Sequence, residues 1–145
     1  MTPTKNGLDR LLGYAAFLAP LLFIGFITLV VFHTFQPPPP PEAVARAQSA
    51  QLIAALQRYA REYGAPPTGQ APQALRKLRG ENPRRIAFFK ATARAYDSQG
   101  ELLDPWGTPY RFDLSDPQNP RVWSCGKNRR DDGGAEGSDD IPSWR

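Results

Sequence analysis

Apolar positions change their rhythm four times along the chain. From Leu11 to Phe35 the run LLGYAAFLAPLLFIGFITLVVFHTF is almost unbroken, with no charge beyond a protonatable His33. About 20 apolar residues cross a bilayer as a helix, so the pattern predicts a transmembrane helix over residues 11–35. A cleaved signal peptide would have a shorter apolar region and a small-x-small site, whereas this run ends in HTFQPPPPP. Lys5 and Arg10 precede the span and no basic residue follows until Arg46. The positive-inside bias therefore puts residues 1–10 in the cytoplasm and the remainder outside it.

Five prolines, Pro37 to Pro41, then interrupt any helix, since each ring fixes φ and lacks an N–H. Residues 36–41 read as a stiff polyproline II linker, and residues 42–145 as one small domain. The domain opens with EAVARAQSAQLIAALQRYAREYG, where Leu52, Leu56, Tyr59 and Tyr63 recur at helical spacing with Ile53 and Ala60 beside them. Gly64 is placed to stop this long amphipathic helix, and Pro66 and Pro67 prevent renewed winding. A second, shorter helix is predicted over Pro72 to Leu78, burying Leu75 and Leu78 and ending at Gly80.

Period-two alternation follows. Tyr110, Phe112 and Leu114 alternate with Arg111 and Asp113, and a second short run spans Arg121 to Cys125. Before them, Asp104-Pro105-Trp106-Gly107-Thr108-Pro109 has the composition of a tight turn. The expectation is an antiparallel hairpin packed on the long helix, hence an α+β domain.

Charge and chemistry change this picture mainly near the end. Asp131, Asp132, Glu136, Asp139 and Asp140 fall among four glycines, with no apolar periodicity before Ile141. Ordering each backbone residue costs about 1–2 kcal/mol, so the segment stays a mobile, solvated tail unless something compensates. A Ca2+ ion would compensate, because it takes several hard oxygen ligands and needs neither His nor multiple Cys. The spacing is not that of an EF-hand. Cys125 is the only cysteine and His33 the only histidine. This excludes a disulfide framework, and it excludes His-dependent catalysis in the domain after the linker, so no enzyme is expected. The net charge of +4 is modest. Its densest basic stretch, Arg76, Lys77, Arg79, Arg84, Arg85, Lys90 and Arg94 against Glu81, leaves nucleic-acid binding as an alternative of a different class, to be read out by salt dependence.

Taken in order, YAREYGAPPTGQAPQALRKL, DPWGTPYRF and VWSCGKNRRDDGGAEGSDDIPSW resemble the soluble domain of the major pseudopilin of type II secretion, over about residues 43–144. The resemblance implies a helical spine on a small antiparallel sheet and a C-terminal loop that binds calcium. It further implies side-chain ligands among Asn128, Asp131, Asp132, Asp139 and Asp140, with the backbone carbonyl of Cys125 beside them. It places the domain in the periplasm on an inner-membrane anchor, among other envelope secretion or pilus-like proteins. The N-terminus departs from the family pattern. Gly25-Phe26-Ile27-Thr28-Leu29-Val30 echoes the processing site, but lies deep in the apolar run and has Val30 where the family has Glu. The expectation is a structural or interaction component held on an uncleaved anchor, with a true pseudopilus filament subunit as the alternative.

Overall fold

The computed structural model describes Leu18, residues 20–30, Phe32 and residues 37–145. The chain divides into two compact units, Met1–Pro38 and Pro39–Arg145. In the first, residues 20–30 are helical. Leu21, Leu22, Phe23, Ile24 and Phe26 are all exposed there, and Thr28 Oγ1 donates to the Ile24 carbonyl at 2.8 Å. Much of the predicted span lies outside the described residues. Among the described residues, no helix is long and apolar enough to cross a membrane.

The second unit is built on a long helix, Pro41–Tyr63. Pro40 has φ −59° and ψ 147°, which is polyproline II geometry. Pro41, read from the sequence as the last linker residue, is instead the first residue of the helix. Proline suits this position because the first helical N–H has no intrahelical acceptor. Glu42 in the first turn complements the helix dipole. Gly64 ends the helix at φ 82° and donates its N–H to the Ala60 carbonyl at 2.8 Å. Ala45, Ser49, Leu52, Ala55, Leu56 and Tyr59 form the buried face, with Ile53 and Tyr63 packed at its margin.

The short helix runs from Ala71 to Leu78 and buries Ala74, Leu75 and Leu78. Gln70 and Gln73 form a reciprocal capping box, the Gln70 N–H donating to Gln73 Oε1 at 2.8 Å. Three antiparallel strands follow in the order β1 (Arg111–Asp113), β2 (Arg121–Ser124) and β3 (Ile141–Pro142). Phe112 faces Val122 between β1 and β2, and Ser124 faces Ile141 between β2 and β3. The predicted hairpin is therefore present, and β2 packs on the long helix. The third strand was not anticipated, because two residues are too few to show alternation.

Leu52, Leu56, Leu75, Leu78, Leu102, Tyr110 and Val122 make one continuous core between helices and sheet. Burying each large apolar side chain contributes about 1.5–3 kcal/mol. Tyr110 is buried, and its hydroxyl donates to Gln48 Oε1 at 3.0 Å, tying β1's approach to the long helix. The domain is α+β, with the chain between β2 and β3 at one end of the sheet.

Candidate functional site

The loop between β2 and β3 starts from a buried polar relay. Asp104 opens the DPWGTP turn and is 5% exposed. Its Oδ1 accepts the N–H groups of Trp106 and Thr108 at 3.0 and 2.8 Å, which closes the turn. Its Oδ2 accepts the Ser124 hydroxyl at 2.6 Å, and Ser124 Oγ in turn accepts the Gly126 N–H at 3.0 Å. A buried carboxylate is costly unless its lone pairs are used, and here both oxygens are engaged. The turn thus holds the point where the chain leaves β2.

Two glycines then set the path. Gly126 has φ 65°, and a Cβ there would lie 2.1 Å from the Asp139 carbonyl oxygen. Gly134 has φ 68°, and a Cβ there would meet the Trp144 ring at 2.5 Å. At both positions only glycine combines left-handed backbone with such close approach. Trp144 packs edge-on against Trp123 at 5.9 Å between ring centroids, and the Arg121 guanidinium lies 5.3 Å from its centroid. Arg145 donates to the Gly134 carbonyl, while Arg46 on the long helix donates to the Arg145 carbonyl at 3.1 Å.

Inside this frame one carboxylate oxygen each from Asp132, Asp139 and Asp140 falls within 4.8 Å of the others. Asp140 Oδ2 accepts the N–H groups of Gly134 and Asp132 at 2.7 and 3.1 Å. Its Oδ1 is buried and has no hydrogen-bond partner among the described residues. Burial pushes the Asp140 carboxyl above the usual carboxylate range, the two N–H donors oppose this, and the charges of Asp132 and Asp131 add to it. Asp139 Oδ2 accepts the Asn128 N–H at 2.6 Å.

The other sequence-predicted residues stand differently. Asp131 turns to the sheet: its Oδ1 accepts the Trp123 Nε1–H at 2.9 Å, and Arg111 Nε lies 3.2 Å from its Oδ2. Asn128 Oδ1 accepts the Arg130 N–H at 2.6 Å in a local turn. Cys125 is buried at the end of β2, and burial raises its thiol above the ordinary value. Its thiol is not one of the converging ligand atoms. Sequence reasoning missed Asp104, Ser124 and Arg111. An aspartate opening a Pro-Gly turn was a signal for the first, but nothing local marked the others.

A helical spine, a short three-stranded sheet and a carboxylate-lined loop between β2 and β3 form the geometry against which relatives can be compared. The model of a family described as type II secretion system (T2SS), protein G, matches residues 41–144. The chain belongs to that family. The pseudopilin match covers both helices, all three strands and the loop. No curated protein and no solved structure matched the chain. The family is a structural component of secretion, not an enzyme, in agreement with the lack of any His-based acid–base pair after the linker.

Proposed function

We propose that this pseudopilin-family chain is a membrane-anchored structural component or accessory of a type II secretion or pilus-like system, with a C-terminal loop stabilised by Ca2+. The observation that carries the calcium reading is Asp140 itself: its Oδ1 is buried with no hydrogen-bond partner among the described residues, and one of its carboxylate oxygens lies within 4.8 Å of oxygens of Asp132 and Asp139. Three like-charged groups brought together repel one another unless a cation sits among them or protons neutralise them. An all-oxygen donor set suits Ca2+ and is poor for zinc. Asp132, Asp139 and Asp140 would hold the ion through carboxylates, with Asn128 and the Cys125 carbonyl as further candidates. Asp131 would support the loop through Arg111 and Trp123. The ion would supply positive charge and hold the ends of the loop together.

Anchoring in the inner membrane, with the domain in the periplasm, is supported by the apolar run over residues 11–35 and by exposed apolar side chains around residues 20–30. Calorimetric titration of the full-length chain in non-ionic detergent is expected to show saturable Ca2+ binding. Asp132→Asn and Asp139→Asn variants are expected to weaken it, and no heat of binding from either the native chain or the variants would refute the calcium reading. Intact mass of the membrane-extracted chain is expected to retain residues before Phe26; cleavage there would favour an assembled filament subunit instead.

A further inference from the structure

The basic stretch read from the sequence does not form one track. Arg84 pairs with Glu62, and Lys77 Nζ donates to the Thr68 carbonyl and hydroxyl at 3.1 Å each. Lys90 lines a separate groove beside Val44. Arg76, Arg79 and Arg85, by contrast, line one open cleft of about 710 Å3 at the end of the short helix. Glu81, 3.5 Å from Arg76 Nε, is its one acidic lining residue, so two positive charges remain unbalanced.

The cleft is held in shape before anything binds. Asn82 donates to the Lys77 and Ile86 carbonyls at 2.8 and 2.7 Å and accepts the Tyr63 hydroxyl at 2.7 Å, which pins the 80–85 segment to both helices. Arg79 Cζ lies over the Tyr96 ring, 4.1 Å from its centroid, a cation–π contact that helps hold the guanidinium at the cleft. Arg85 has φ 54°, a left-handed conformation that ordinary side chains disfavour, and has no ion-pair partner among the described residues. A turn alone would be better served there by Gly or Asn.

We propose that this cleft docks an acidic segment of a partner protein, a stretch carrying several Asp or Glu side chains. All three cations are arginines, whose planar forks match carboxylates in a bidentate manner. The cleft is open and spans more than one carboxylate. The lining includes no large apolar side chain of the kind that inserts into lipid. No aromatic side chain lines the cleft, and the Tyr96 ring behind Arg79 is already covered by that guanidinium and is not free to stack on a base. This site is separate from the carboxylate loop and stands without the calcium reading.

The test is fluorescence anisotropy of the full-length chain in non-ionic detergent with a labelled glutamate-rich peptide. Its glutamine counterpart, a single-stranded oligonucleotide and an inositol polyphosphate serve as competitors. The glutamate peptide should bind in a salt-sensitive manner and be displaced least by the glutamine peptide. Arg85→Gly should weaken binding about tenfold, in line with loss of one charge-assisted contact. Because glycine accepts φ 54° without cost, the same variant should melt no lower than the native chain, separating lost binding from lost fold. Arg94→Ser, outside the cleft, should bind as the native chain does. Absent peptide binding, unchanged affinity in Arg85→Gly, equal binding of the glutamine peptide, or stronger binding of the oligonucleotide or polyphosphate would each overturn the proposal.

Discussion

At Asp140 one carboxylate oxygen takes two backbone N–H groups while the other is buried with none, so ionisation there is costly in the absence of a cation. Asp140→Asn keeps an acceptor for Gly134 and Asp132 but removes the charge. Without Ca2+ this variant should melt at the same temperature as the native chain or higher, and it should lose most of the response to Ca2+; calorimetric scans in the presence and absence of chelator check both. Asp104 is the opposite case, a buried carboxylate whose oxygens are both satisfied. Asp104→Ala leaves two turn N–H groups and the Ser124 hydroxyl without their acceptor. Urea denaturation should show a loss of about 3 kcal/mol, whether or not calcium is present.

At the scale of elements, the loop depends on backbone that only glycine can adopt at its tightest points. Gly126→Ala would drive a methyl into the Asp139 carbonyl and demand φ 65° of an alanine, so destabilisation exceeding that of a typical surface change, about 0.5 kcal/mol, is expected in the same denaturation assay. The long helix was legible because Leu52, Leu56 and Tyr59 repeat at its period and Gly64 and Pro66 punctuate its end. The hairpin was legible because Phe112 and Val122 sit on alternating runs. Ile141–Pro142 was not, since a strand of two residues is defined by pairing with Trp123 and Ser124 rather than by its own pattern. For the same reason the sequence placed Asp131 among the candidate ligands with its neighbours. The Arg111 and Trp123 side chains that draw it to the sheet lie in β1 and β2, outside the loop, and acidic composition carries no information on which way a carboxylate turns.

Across the whole second unit, the long helix, the short helix and the sheet share one core, and burial of phenol groups in and beside it sets the alkaline limit. Burial pushes the Tyr110 phenol far above its ordinary value, with the Asp104 charge adding to the shift; Tyr59 and Tyr96 are raised mainly by burial as well. The native state therefore keeps these protons where the unfolded chain, with phenols near pH 10, begins to release them. Stability is undiminished by these groups below about pH 10 and falls as pH rises beyond it. Tyr110→Phe should flatten that alkaline decline in denaturation curves while costing about 1 kcal/mol at neutral pH for the lost Gln48 bond.

The loop is also tied to the start of the spine through Gly134, Arg145 and Arg46, so order imposed at the carboxylates should be felt by the whole second unit. The direct test is thermal unfolding of the full-length chain in non-ionic detergent, with chelator and with millimolar Ca2+. A ligand bound only by the folded form at a hundredfold excess over its Kd adds about 2.7 kcal/mol, so the melting temperature should rise with Ca2+ and most of the rise should be lost in Asp140→Asn. Identical melting of the native chain with and without Ca2+ would contradict the account.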